Sequence, residues 1–251
     1  MGESLLSVKS LVKCFGAVLA CNSFSLEVAQ GELHALIGPN GAGKTTVLNQ
    51  LCGELMPDAG HIFFDGRQIT RMPIYQRARM GLARSYQITS VFEHLTVGEN
   101  LSLATQAHKG HSFRFWKKAV DDPVIRRAVL PVMARVDLEK RANMQAANLS
   151  HGEKRQLEVG MALAGNPKML LMDEPYAGMG QGGAVELTKL IRKLKTEVTI
   201  LLVEHDMDAV FSLADRITVL VYGRAIATGT PQEIRASPEV RRAYLGDEVN
   251  G

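Results

Sequence analysis

The sequence predicts an α/β fold: a mainly parallel sheet, an antiparallel β-rich portion toward the N-terminus and an inserted α-helical portion. Three observations predict it. Gly38-Pro39-Asn40-Gly41-Ala42-Gly43-Lys44-Thr45, followed by Thr46, fits G-x-x-x-x-G-K-[ST] and sits between a short apolar strand pattern, Leu33 to Ile37, and a helical one, Lys44 to Leu55. Two further apolar runs without alternation, Met169 to Met172 and Val198 to Val203, flank a helical stretch from Gly183 to Lys195, the pattern of strands buried on both faces joined by a crossover. Between these landmarks the composition shifts from alternating to helical.

In chain order, Phe24, Leu26 and Val28 point inward while Ser25 and Glu27 face water, as in a half-buried antiparallel strand; Phe15 and Gly16 end the strand before it. Ile62 to Phe64 and Gln68-Ile69 flank an Asp65-Gly66 turn. Thr96-Val97-Gly98-Glu99 is a capping-box pattern, and Ile125, Val129, Val132, Met133 and Val136 recur at helical spacing behind Asp121-Asp122-Pro123. A helix from Leu149-Ser150-His151-Gly152-Glu153 to Gly165 ends at Asn166-Pro167. The chain closes on a hairpin about Gly223 and two short helices, opened by Thr230-Pro231 and Ser237-Pro238. The expected organisation is one domain over 1–251, with a nucleotide-binding core of 1–89 and 167–251 and a helical subdomain of 90–166.

With 251 residues and 46% hydrophobic content, the chain can bury a sizeable core. Its 29 basic and 26 acidic residues leave a formal charge of +3, which favours no nucleic acid over other partners. Cys14, Cys21 and Cys52 lack metal-ligand spacing and are expected as reduced core thiols. No apolar run approaches the ~18 residues of a bilayer span, so any membrane role is expected to be peripheral. The stretch His108 to Lys118 mixes bases and aromatics, which suits a packed loop or a surface that meets a membrane, a partner or a nucleic acid.

The chemistry begins with the loop. Its glycines let backbone N–H groups curl around phosphates, Lys44 adds a cation, and the Thr45 hydroxyl is placed to ligate Mg²⁺. The strand Met169 to Met172 runs into Asp173 and Glu174. Beside such a loop, an aspartate at the strand end holds Mg²⁺ and the next acid is positioned to orient or deprotonate the water attacking a γ-phosphate. Ser150 and Glu153 form a local capping box, while Ser150, Gly152 and the helix N-terminus also suit a second anion site; spacing does not choose between the two.

Taken together, the phosphate loop, Leu149-Ser150-His151-Gly152-Glu153, the Met169 to Glu174 strand and His205 after the Val198 to Val203 strand resemble the ATP-binding cassette (ABC) ATPase family over nearly the whole chain. The resemblance implies a P-loop NTPase core that hydrolyses ATP with Mg²⁺ to drive transport. It implies that Ser150 and Gly152, with Glu153 in the same signature, bind the γ-phosphate of ATP held by a second cassette. It further implies that Phe15 stacks on adenine, that Gln87 senses Mg²⁺, water and the membrane partner, and that His205 contacts the γ-phosphate. Gly81 to Gln87, Leu95 to Leu101, Val203-Glu204-His205-Asp206-Met207 and Arg241 to Gly246 are similar to the ATPases of branched-chain and hydrophobic amino acid importers. Urea-type importers and the lipopolysaccharide-export ATPase share parts of the pattern.

The implied partners are a second cassette, identical or related, two transmembrane permease subunits and, indirectly, a periplasmic or extracellular solute-binding protein, with no nucleic acid. The implied location is the cytoplasmic face of the inner or plasma membrane. Departures from the family pattern are His151 in place of the usual Gly, Glu153 in place of Gln, and Gly180 where many members carry an aspartate that communicates between sites. A soluble cassette acting on DNA or ribosomes is the competing class; such proteins usually pair two cassettes or carry a long coiled-coil insertion, and neither occurs here.

Overall fold

The computed structural model describes residues 4–85, 91–109 and 123–245. It divides into two compact units, one of Met1–Arg77, Leu171–Glu174 and Thr199–Gly251, the other of Ala78–Leu170 and Pro175–Val198.

The first unit holds two sheets. Strands β1 (Ser4–Phe15), β2 (Val18–Ala29), β4 (Ala59–Phe64) and β5 (Arg67–Gln68) form an antiparallel sheet in the order β2-β1-β4-β5. Leu6 faces Val28, Val8 faces Leu26 and Leu11 faces Phe24, so the alternating apolar positions of both strands fall on one buried face. Asp65 and Gly66 both adopt positive φ, 51° and 72°, as the tight turn between β4 and β5 requires. In the larger sheet, β3 (Leu33–Ile37) lies between β8 (Thr199–Val203) and β9 (Arg216–Val221), parallel to both; β10 (Arg224–Gly229) flanks β9 and β7 (Met169–Asp173) flanks β8. Every residue of β3, β7 and β8 is buried, which is why these strands read as unbroken apolar runs.

Helix α1 (Lys44–Cys52) is shorter than the expected Lys44 to Leu55. Gly53, at φ 91°, turns the chain out of the helix, and the Asn49 carbonyl accepts the N–H groups of both Gly53 and Leu55. The next helix, α2 (Ile74–Arg79), carries Arg77 into the interior. Its guanidinium donates to the carbonyls of Gln50 and Leu51, both at 2.7 Å, of Thr70 at 3.0 Å and of Met72 at 2.8 Å. A cation thus holds the carboxyl end of α1, where the helix dipole is negative. Cys21 and Cys52 are buried, but Cys14 is exposed, correcting the expectation of three core thiols. It lies one residue before the end of β1, and its N–H is bonded by Asp58 at 2.7 Å.

The second unit contains β6 (Leu82–Ser85), α3 (Val97–Lys109), α4 (Pro123–Arg135), α5 (His151–Leu163) and α6 (Gln181–Leu194). The expected capping box opens α3: Thr96 N–H donates to Glu99 and Glu99 N–H to Thr96 Oγ1. Ile125, Val129, Val132, Met133 and Val136 are buried, as their spacing predicts; Asp121 and Asp122 of the start signal lie outside the described residues. Helix α5 stops at Leu163, two residues before the expected Gly165. A Cβ on Gly160 would stand 3.1 Å from Leu101 and 3.2 Å from Val136, so the glycine is what lets α5 press against α3 and the chain after α4. Among the described residues no helix is long and apolar enough to cross a membrane.

Candidate active site

The phosphate loop leaves buried β3 at Gly38 and enters α1 at Lys44. Two glycines are fixed there by close approach. A Cβ on Gly38 would stand 2.1 Å from the Leu220 carbonyl oxygen, and one on Gly43, which sits at φ 105°, would stand 2.3 Å from that of Ala20. No side chain fits either gap. The Tyr222-Gly223 turn between β9 and β10 braces the loop from outside, with Gly223 N–H donating to the Ala42 carbonyl at 2.9 Å. Gly43 is the N-cap of α1 and supplies no side-chain hydrogen bond, so the amino end of this helix has no cap of its own.

Lys44 is buried, and its ammonium donates to the carbonyls of Gly38 at 2.7 Å and Pro39 at 3.0 Å. Burial lowers its pKa from the usual lysine value, and the charges of Glu174, Asp173 and Glu204 oppose that shift without cancelling it. Thr45 is exposed, Thr46 half-buried. Asp173 ends β7 and is 2% exposed. Glu174 follows at φ 44°, an uncommon backbone state for a residue with a side chain, and its N–H is held by the Val203 carbonyl at 2.9 Å. Glu204, directly after β8, is fully buried; its Oε2 accepts the N–H groups of His205 at 2.9 Å and Asp206 at 3.3 Å. The His205 side chain is 61% exposed, and Asp206 caps α7 (Met207–Leu213) by accepting the Ala209 N–H. Phe15 is exposed at the end of β1, with Lys13 Nζ 5.8 Å from its ring centre. Gln87 lies outside the described residues, as does nearly all of His108 to Lys118.

In the second unit, α5 opens on a complete capping box. Glu153 Oε2 accepts the Ser150 N–H and hydroxyl, both at 2.9 Å, and Glu153 N–H donates to Ser150 Oγ at 3.3 Å. Arg141 Nε binds the other carboxylate oxygen at 2.7 Å. Burial would raise the Glu153 pKa, but the hydrogen bonds from Arg141 and Ser150 outweigh it and hold the carboxyl below the usual glutamate value. The Ser150 hydroxyl is therefore engaged locally. A Cβ on Gly152 would stand 3.4 Å from the Gly183 Cα, so the amino ends of α5 and α6 meet through two glycines. They border a cavity of about 510 Å³ whose walls include Ser150, Gly152, Glu153, Met179, Gly180 and Gly183.

Sequence reasoning missed Glu204. The signal was present, an acid immediately after an apolar strand, the same signal that marks Asp173 and Glu174 after Met169 to Met172. The approach of Gly152 to Gly183, 31 positions apart, left no mark in the sequence.

A buried strand, a glycine loop braced on both sides, an uncapped helix start and acids at the ends of β7 and β8 define a P-loop nucleotide site. The comparisons with known proteins agree. The ABC transporter family model matches residues 21–177, and the model for the branched-chain amino acid ATP-binding cassette transporter matches 226–250. The chain is 41% identical to the high-affinity branched-chain amino acid transport ATP-binding protein LivG of Salmonella typhimurium, over 98% of this chain and 100% of that one. It is 34% identical to the lipopolysaccharide export system ATP-binding protein LptB of Acidithiobacillus ferridurans, over 98% of both. Among solved structures, the ADP conformation of an ATP-binding cassette of an ABC transporter superposes with a TM-score of 0.86 at 31% identity, covering 97% of this chain and 99% of that one. The chain belongs to the ABC transporter family, as its nucleotide-binding ATPase component.

Proposed function

We propose that this chain is the ATP-hydrolysing cassette of an importer for branched-chain or other hydrophobic amino acids. The observation that carries the reading is the 41% identity to LivG over 98% of this chain and 100% of that one; the match of residues 226–250 to the branched-chain cassette model supports it. Alternative readings are lipopolysaccharide export, which the relative at 34% identity favours, and a urea-type importer. In each reading the chain works at the cytoplasmic face of the membrane with a second cassette and two permease subunits, and as an importer also serves an external solute-binding protein. Residues 1–89 and 167–251 are its nucleotide-binding core and 90–166 its helical subdomain.

The donors suit MgATP. Gly38, Asn40, Gly41 and Gly43 offer main-chain N–H groups in a turn shaped by Pro39 and Ala42, whose N–H donates to the Pro39 carbonyl at 3.2 Å, and the uncapped start of α1 offers more at its positive end. Lys44, now spanning two loop carbonyls, turns to the phosphates. Among the described residues no group of three or more His, Cys, Asp or Glu could hold a metal ion. Mg²⁺ takes one or two carboxylates and completes its shell with water and substrate phosphates. Asp173 and the Thr45 hydroxyl would be its protein ligands, with Thr46 beside them and Gln87 as a further contact. When bound, the ion neutralises charge on the phosphate oxygens.

Glu174 takes the proton of the water that attacks the γ-phosphate, and His205 steadies the charge that develops there. Phe15 presents its exposed ring to adenine. Ser150, Gly152 and Glu153 close over the nucleotide of the second cassette. Two measurements test the reading. Glu174→Gln retains ATP binding and loses nearly all hydrolysis; turnover at the wild-type rate removes Glu174 as the base. Deletion of the gene from its own host abolishes uptake of labelled leucine or valine; intact uptake with a lipopolysaccharide defect establishes export instead.

A further inference from the structure

We propose that Glu204 is a positioning residue for His205: its buried carboxylate fixes the main chain from which the imidazole is presented. The inference rests on the reading of His205 as a γ-phosphate contact. A carboxylate removed from water is costly unless its lone pairs are used. Here one oxygen takes two successive N–H groups, those of His205 and Asp206, where the chain leaves β8 and before Asp206 caps α7. These bonds hold a non-helical, non-strand turn rigid between two regular elements. The ring itself is not hydrogen-bonded by Glu204, because Nδ1 stands 3.7 Å from Oε2, so the carboxylate acts through the backbone. The exposed ring remains available to a ligand while its Cα is held in place.

The test uses the full-length chain at saturating MgATP. His205→Ala lowers kcat by about 10²-fold, the size expected for loss of one donor to transition-state charge. Glu204→Ala lowers kcat by roughly 10-fold with KM changed less than about 2-fold, and Glu204→Gln, which keeps an acceptor for both amides, restores kcat to within about 3-fold of wild type. The double variant is no slower than His205→Ala alone, since Glu204 has nothing left to position. Without nucleotide, hydrogen exchange at the amides of His205 and Asp206 quickens in Glu204→Ala and not in Glu204→Gln. If Glu204→Ala does not fold, Glu204→Met, which keeps bulk without acceptors, replaces it. The proposal is overturned by a Glu204→Gln enzyme as slow as Glu204→Ala, by additive losses in the double variant, or by unchanged amide exchange. If His205→Ala alone hydrolyses at the wild-type rate, the reading of His205 fails, and the exchange measurement still decides whether Glu204 holds the turn.

Discussion

Helices α1 and α5 both begin beside residues assigned to phosphate, yet their amino ends are built in opposite ways. The N-cap of α1 is Gly43, which contributes no side chain, and the buried Lys44 bonds to carbonyls of its own loop. The N-cap of α5 is Ser150, locked with Glu153 in a reciprocal box and steadied by Arg141. An uncapped helix start keeps its donors for a ligand; a capped one has spent them on its own stability. On the proposed function, the first would be the primary binding site and the second an edge that must give up a bond to engage a phosphate.

The two helix starts should differ most at Lys44. Lys44→Ala removes the only cation of the loop, and nucleotide affinity measured by equilibrium titration falls at least ~10²-fold, whereas Ser150→Ala leaves the affinity of the isolated monomer within about 2-fold. A Ser150→Ala monomer that binds ATP as poorly as Lys44→Ala abolishes the distinction. Next in size is Gly43→Ala. Its Cβ meets a main-chain oxygen at 2.3 Å and its φ is 105°, so denaturant unfolding records a loss of about 2–4 kcal/mol. The matching change at the other helix, Gly152→Ala, meets Gly183 at 3.4 Å, ordinary contact, and costs less than about 1 kcal/mol. Third, Ser150→Ala costs about 1 kcal/mol of stability through the lost cap, with weaker dimer closure on ATP seen by size-exclusion chromatography.

The smallest effect is one of pH. Glu153 is held below its ordinary pKa in the folded chain, so its contribution is full above the unfolded value near 4.5 and is lost as pH falls through the lower folded value. The protection of the amides in the first turn of α5, read as the exchange rate relative to the intrinsic rate at each pH, should therefore fall on acidification below about pH 4.5, while the first turn of α1, with no carboxylate cap, shows no such step. A step of equal size in both helices contradicts the contrast.

The loop, β3, β7 and β8 were legible because each is specified by neighbours in sequence: a glycine spacing, or an apolar run ended by acids. Glu204 carried the same mark as Asp173 and Glu174, but its use lies in hydrogen bonds to the chain that follows it, which composition does not display. Cys14 misled because a cysteine near the end of a strand reads as apolar, while the strand has already left the core there. The end of α1 was misjudged by three residues because Gly53 ends a helix only in the left-handed conformation it adopts here. Arg77 was unreadable for a different reason. Its four acceptors are main-chain carbonyls, two of them on residues 26 and 27 positions away, and carbonyls are common to every sequence.

That arginine gives α1 an anchor of a particular kind. The carbonyls that hold its guanidinium do not titrate, so the grip on the carboxyl end of the helix persists through acid in which Glu153 releases Ser150. The helix that follows the phosphate loop is thus anchored by contacts that do not titrate, whereas acid loosens the Glu153 clasp on Ser150, at the edge that on the proposed function would close over a nucleotide.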